Sequence, residues 1–462
     1  MPFPAAFREP TGPHASLLAL SALEQAQAVR AGEVTSEALV DLYLERVGRL
    51  DPQLGAFVCV QAERAQDTAR RRDKARTAGE PLSPFHGVPI AVKDLHMLRG
   101  APMRMGSRAW RWLWSPVDDL TVRAVNKAGF VILGKTSTSE MALMPVVETD
   151  IHPPTRNPWD LSRTSGGSSG GAAAAVAAGL LPLSPGSDGG GSVRIPATTC
   201  GLVGLKPSRG AIPNPHAAMD RPGMTAIGPL ARGVDDAAAL ADVLCGRDPG
   251  APGSWLSAAR QAPPPGLRVG VLTQSPLDLQ TCPHRAQAAR DAGEVLRARG
   301  DRVEARARIP GTLEEFLPIY QRLFADMPVL FESKLQPVTR WFRVEGRRYT
   351  QAQAREAFET LSRRALEAQA GLDVLLTPTC PIAPPRVGQF SHLEPVEMFR
   401  SLAPLGAFTA PWNVTGQPAC TVPWGFDPDG LPMGVQLVGR LGDDARILAL
   451  ARVLQAAAPA SA

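Results

Sequence analysis

Lys93, Ser168 and Ser192 are the residues whose types and settings could do chemistry. Lys93 closes the apolar run Gly87-Val88-Pro89-Ile90-Ala91-Val92, Ser168 lies in Gly166-Gly167-Ser168-Ser169-Gly170-Gly171, and Ser192 ends Asp188-Gly189-Gly190-Gly191-Ser192. Val88 to Val92 reads as a buried strand, where an ammonium is poorly solvated and tends to lose its proton. The neutral amine that remains can serve as a general base. Only six of the 49 Lys and Arg residues are Lys, so nearly all solvated positive charge comes from Arg, which cannot deprotonate at working pH. The competing structural role for Lys93 is to snorkel to water or to pair with the adjacent Asp94. The Gly-Gly-Gly-Ser run offers successive backbone N–H groups with no Cβ in the way, a nest for an oxyanion beside a hydroxyl. Ser192 is therefore the better nucleophile candidate, and the chemistry is acyl transfer.

The loop around Ser168 fits two other patterns less well. Its Gly-x-x-x-x-Gly spacing matches a phosphate loop, but Ala172 and Ala173 stand where that loop needs Lys and Ser or Thr. Gly166-Gly167-Ser168-Ser169-Gly170 also matches the nucleophile elbow of an α/β-hydrolase, which needs an acid and a His downstream. The downstream His216, His284 and His392 lie in Pro-rich or charged contexts without a supporting motif.

With Lys93 and Ser168 75 residues apart and Ser192 another 24 further on, the chain resembles the amidase signature family, serine hydrolases that use a Ser, cis-Ser, Lys triad. The resemblance continues through Asn157-Pro158-Trp159-Asp160, Gly201-Leu202-Val203-Gly204-Leu205-Lys206-Pro207-Ser208 and Asn413-Val414-Thr415-Gly416-Gln417-Pro418. It is weakest over about residues 275–370. It implies that Ser192 attacks an amide carbonyl, that Ser168 relays its proton after a cis Gly167–Ser168 bond, and that Lys93 takes the proton and returns it to the leaving amine. It further implies an oxyanion hole of Gly189, Gly190, Gly191 and the Ser192 N–H, supported by Ser169, Asp188 and Arg194. Many relatives carry Thr or Ile where Gly189 stands. Met141, Leu143, Met144, Phe408 and Trp412 are candidates for an apolar substrate pocket, with core packing as the competing role.

The expected substrate is a small apolar amide or a linear or cyclic oligoamide such as a nylon oligomer. The alternative is the glutamine-hydrolysing subunit of a tRNA-dependent amidotransferase. Such subunits usually carry an Asp where this chain has Gly406, and a Thr-Glu-Asn-Ser stretch where it has Val147-Glu148-Thr149-Asp150, so a stand-alone hydrolase is favoured. With all three triad positions filled, a binding protein that has lost activity is set aside. No cofactor is implied, and the resemblance allows a homodimer.

Elements that could hold these residues alternate along the chain. Ser21-Ala22-Leu23-Glu24 reads as a capping box, and Thr35 to Leu50 as an amphipathic helix ended near Asp51-Pro52. Strands are expected at Val88 to Val92, Phe130 to Leu133, Leu267 to Leu272, Val374 to Leu376, Ala419 to Val422 and Gly434 to Val438. A helix over Ala172 to Gly179 would aim its positive dipole end at the Ser168 loop. The pattern predicts an α/β fold, a central mixed twisted sheet with helices on both faces. All 462 residues are expected to form one domain, with a catalytic core at about 60–245 and a variable substrate-binding part at about 275–400. The Pro- and Gly-rich stretch Gly246 to Gly266 is then a surface loop rather than a linker.

Composition excludes several classes of role. A formal charge of +5 is weak for 49 basic and 44 acidic residues, and Arg70-Arg71-Arg72 is broken up by Asp67 and Asp73, so no nucleic-acid partner is expected. The six Cys lie far apart without paired spacing, which indicates neither a metal site nor a disulfide framework. Met1-Pro2-Phe3-Pro4 does not open a signal peptide, and the most apolar stretch, Ala172 to Leu183, is too short to span a bilayer. A cytoplasmic protein without a membrane partner is expected.

Overall fold

The computed structural model describes residues 4–7, 15–277, 279–309 and 311–459. Eight strands form one sheet in the order Arg302–Ala305, Arg268–Val271, Val374–Pro378, Pro432–Val438, Ala419–Phe426, Val203–Lys206, Ala226–Ala231 and Leu183–Asp188. The first three run parallel and the rest pair antiparallel. A second sheet has three strands: Val131–Thr136 in the centre, parallel to Pro89–Lys93 and antiparallel to Phe57–Val60. Ser184 Oγ donates to the Ala91 carbonyl at 3.0 Å, which joins the edge of each sheet and brings Lys93 alongside Leu183–Asp188.

The strands form where β-branched and apolar residues run without interruption, as befits a sheet covered on both faces. Ile90, Val92 and Ile132 pack into one core with the helices Val234–Leu244, Pro283–Ala298 and Asp444–Ala457. Their neighbours Ala91, Val131 and Leu133 turn to a second core under the helices Ser36–Leu54 and Gly170–Ala177. This is the strand period of two, read out in three dimensions. All six strands expected from the sequence are present, the Ser21–Glu24 capping box closes in both directions, and the helix expected at Ala172 spans Gly170–Ala177, every residue of it buried.

Two local expectations are corrected. The helix Ser36–Leu54 continues through Pro52 and ends at Gly55, because a proline in the last turn forfeits one intrahelical bond only. The 246–266 segment is not merely a surface loop: it contains the helix Trp255–Ala259, whose Trp255, Leu256 and Ala259 are buried. Asp242 fixes that helix by accepting from the Trp255 and Leu256 N–H groups. Among the described residues no helix is long and apolar enough to cross a membrane.

A third core gathers around Ile195, just beyond Ser192, and is built by the helices Leu313–Asp326, Pro337–Gly346 and Pro395–Leu402. Tyr320, Phe324, Phe342 and Phe399 meet there edge-on or tilted, with centroids 4.9–5.7 Å apart, the spacing that aromatic quadrupoles favour.

Candidate active site

Lys93 is the last residue of its strand and is completely buried. Its neighbour does not neutralise it. Successive strand residues point to opposite sides, and Asp94 turns to Lys135, whose Nζ lies 2.6 Å from its carboxylate. Lys93 Nζ instead meets three hydroxyls: Ser168 Oγ at 2.7 Å, Ser169 Oγ at 2.9 Å and Ser187 Oγ at 2.9 Å. Burial pushes its ammonium down to about 7, while the Asp188 carboxylate pulls the other way. A neutral amine has two hydrogens and one lone pair to share among three hydroxyls, so one hydroxyl must donate to it. Ser169 spends its own hydrogen on the Ser187 carbonyl at 3.2 Å, which leaves Ser168 or Ser187 as the donor.

The Gly167–Ser168 peptide is cis, and the Gly170–Ala177 helix follows directly. Gly186 lets this loop approach: a Cβ there would lie 2.8 Å from Ser169 Oγ. The Ser169 N–H donates to the Ser192 carbonyl at 3.1 Å, tying the loop to the segment that carries Ser192.

That segment is built around a buried carboxylate. Asp188 receives Arg194 in a fork, Nε at 2.9 Å and a terminal nitrogen at 2.8 Å, together with Gly191 N–H at 2.7 Å and Asn413 Nδ2 at 3.0 Å. These donors, Arg194 foremost, hold the carboxyl far below the usual carboxylate range against the pull of burial. Arg194 reaches on to Gln436 Oε1 at 2.7 Å, Asn413 Oδ1 at 2.7 Å and the Thr409 carbonyl at 2.9 Å. Thr409 Oγ1 in turn donates to the Gly190 carbonyl at 2.7 Å. The loop is thus clamped by the C-terminal part of the chain. The Gly191 N–H is spent on Asp188, which departs from its expected place in the oxyanion hole. Gly189 and Gly190 border the cavities.

Ser192 stands where two cavities meet. One, of about 120 Å³, is lined by Leu143, Ile195, Phe316, Phe399 and Val414, and among the described residues no charged side chain borders it. The other, of about 240 Å³, is lined by Met103, Met105, Met141, Met219 and Phe324, with His216, Asp220 and Thr225 among its polar groups. Ser192 and Tyr320 border both cavities, whereas Ser168 and Ser187 border the second alone.

Of the five residues expected in a substrate pocket, Leu143 and Met141 line these cavities and Met144 packs beside them in the aromatic core. Phe408 and Trp412 turn away and pack against Leu272, Ile309 and Leu375. Sequence reasoning missed Ser187, Tyr320, Thr409 and Gln436. Ser187 adjoins a quoted motif and strand alternation could have found it. Tyr320 lies in the stretch of weakest resemblance and carried no signal.

The family model described as Amidase matches residues 38–448. The putative amidase AmiB2 of Mycobacterium tuberculosis (strain ATCC 25618 / H37Rv) is 40% identical over 449 residues, covering 95% of this chain and 96% of the relative. A glutamyl-tRNA(Gln) amidotransferase subunit from Prochlorococcus marinus (strain MIT 9303) is 35% identical over 472 residues, covering 93% of this chain and 95% of the relative. Among solved structures, 6-aminohexanoate cyclic dimer hydrolase complexed with substrate is similar with a TM-score of 0.84 and 32% identity, over 96% of this chain and 98% of that one. A match of this extent, in sequence and in fold, leads to one conclusion: the chain belongs to the amidase signature family and is an amide-hydrolysing enzyme.

Proposed function

We propose that Ser192 attacks the amide carbonyl carbon while its proton passes through Ser168 Oγ to the lone pair of neutral Lys93. The observation that carries this reading is the position of Lys93 Nζ, fully buried and 2.7 Å from Ser168 Oγ. The alkoxide that forms takes N–H groups of Gly189, Gly190 and Ser192, since Gly191 serves Asp188. As the C–N bond breaks, Lys93 returns the proton through Ser168 to the departing nitrogen. A water then attacks the acyl-enzyme over the same relay and releases the carboxylate.

The relay also orients the substrate. The leaving nitrogen must lie beside Ser168, and Ser168 borders the Met-lined cavity alone. The amine part therefore occupies that cavity, and the acyl part occupies the one beyond Leu143 and Ile195. Both are large enough for apolar chains, which supports a secondary amide with carbon on each side of the C–N bond, including a linear or cyclic oligoamide. The likeness to 6-aminohexanoate cyclic dimer hydrolase supports the same reading. Release of ammonia from glutamine, the alternative raised by the likeness to the amidotransferase, fits less well: among the described residues the acyl-side cavity offers no charged group to an amino acid's ammonium and carboxylate.

The test is intact mass after treatment with a fluorophosphonate, followed by hydrolysis of an amide series. One adduct on the native chain and none on Ser192→Ala is expected. N-alkyl amides should turn over at least about tenfold faster than the matching primary amides. An adduct that persists in Ser192→Ala removes the nucleophile assignment, and faster turnover of primary amides or glutamine removes the orientation.

A further inference from the structure

Behind the Met-lined cavity, three chemistry-bearing residues converge that the hydrolytic relay leaves unused. His96 follows Lys93 by one turn, its N–H bonded to the Lys93 carbonyl at 2.9 Å. His96 is fully buried. His216 lines the cavity. Asp119 caps the helix Leu120–Lys127 by accepting from the Val122 N–H at 3.0 Å. One ligand atom from each of the three lies within 4.8 Å of the other two.

The two imidazoles are arranged in a specific way. Asp119 Oδ2 sits 3.0 Å from His96 Nδ1 and also accepts the Met97 N–H at 3.1 Å. In the neutral imidazole, a carboxylate in that place selects the tautomer with hydrogen on Nδ1 and the lone pair on Nε2. Among the described residues, His96 Nε2 is buried without a hydrogen-bond partner, and His216 Nε2 is in the same condition. A buried imidazole nitrogen without a partner normally loses stability, and here two such atoms occur together. The ring centroids are 5.8 Å apart and the planes tilt by 31°. Two metal–nitrogen bonds of about 2.0–2.1 Å, added to the ring radii, span such a separation.

We propose that His96 Nε2 and His216 Nε2 form a binding site for a borderline divalent cation such as Zn²⁺, with Asp119 holding His96 in its ligating orientation. Asp119 plays the part of the outer carboxylate in a carboxylate–histidine–metal arrangement. With two protein ligands the site is an open one, and its remaining positions face the cavity that Ser168 and Ser192 border. A bound cation narrows that cavity and slows access to Ser192. Binding itself is independent of the hydrolytic reading above. Positions 96, 119 and 216 are too far apart in the chain for spacing to have shown the cluster.

The experiment is isothermal titration of the full chain with ZnCl₂. One ion per chain is expected, with affinity at least about tenfold weaker in His96→Ala and in His216→Ala. Asp119→Asn, which keeps a capping side chain, should weaken binding by about 10–100-fold. His216 is part-exposed at the cavity wall, so its variant remains informative if His96→Ala folds poorly. As a second readout, saturating Zn²⁺ should slow fluorophosphonate labelling of the native chain, and should leave His216→Ala at its own zinc-free rate. No binding by the native chain, or binding that His216→Ala does not weaken, overturns the proposal.

Discussion

At Lys93, an amine without a carboxylate depends on hydroxyls for its solvation. An ammonium gains more from an accepting hydroxyl than a neutral amine does, because the bond is charge-assisted. Taking one hydroxyl away therefore favours the neutral form. Activity of the native chain should rise with pH through about 7 as Lys93 loses its proton, and Ser187→Ala should move this limb to lower pH. A profile that is flat across neutrality, or one that Ser187→Ala leaves in place, would remove Lys93 as the titrating base. Lys93→Ala and Ser168→Ala should each cost about 10²–10⁴-fold in kcat, the range of a lost acid–base group, with unchanged thermal stability for Ser168→Ala. The sequence exposed these two residues because their contexts conflict with their chemistry: a lysine in an apolar strand, a serine among glycines. It could not expose Tyr320, an aromatic residue at ordinary helical spacing whose position at the junction of two cavities depends on how three helices pack.

The element that positions Ser192 is the turn from Leu183–Asp188 into the helix Arg194–Cys200. Gly191 has φ +126°, and a Cβ there would come within 2.1 Å of Thr409 Oγ1. A Cβ at Gly190 would meet nothing within 4 Å. Two adjacent glycines in one turn therefore have different sensitivities. Gly191→Ala should destabilise the fold by about 2–5 kcal/mol, through backbone strain and overpacking, and should abolish labelling of Ser192. Gly190→Ala should melt with the native chain and only narrow the acyl-side cavity. Equal melting temperatures for the two variants would contradict the geometry. The strand leading into this turn was the hardest to read. Leu183-Ser184-Pro185-Gly186-Ser187-Asp188 contains two residues that usually interrupt strands, yet Pro185 faces Pro229 across an antiparallel ladder. Alternate positions of such a ladder exchange no backbone hydrogen bonds, so two prolines can face each other there without losing any. That compensation exists only between strands and is invisible along one of them. Val88 to Val92, by contrast, announced itself through composition alone.

For the molecule as a whole, two buried lysines make stability depend on pH. Burial pushes both Lys93 and Lys206 down to about 7, while an unfolded chain keeps their protons to about pH 10.4. Above pH 7 the unfolded state thus binds more protons than the folded one, and stability rises with pH. Below 7 both states are protonated and the folded state bears the full burden of the buried charges. The melting temperature should climb between pH 7 and 8.5, and Lys206→Met should flatten about half of the climb. A native melting temperature that falls over this interval would show that neither amine is neutral in the fold. The mixed sheet and its two helical faces were legible from the alternation of elements. How the distant ends of the chain meet was not, because hydrogen bonds such as Arg194 to Gln436 join side chains 242 positions apart.

That last bond also sets an order of events. A ribosome that has made the first 400 residues has already delivered Lys93, Ser168 and Ser192, but not Thr409, Asn413 or Gln436. The guanidinium of Arg194 then has no partner beyond Asp188, and nothing pins the Gly190 carbonyl. If Ser192 is the nucleophile, a chain that lacks these three residues is expected to be silent as a hydrolase, because the turn that carries Ser192 is left unclamped by the lateness of Thr409, Asn413 and Gln436.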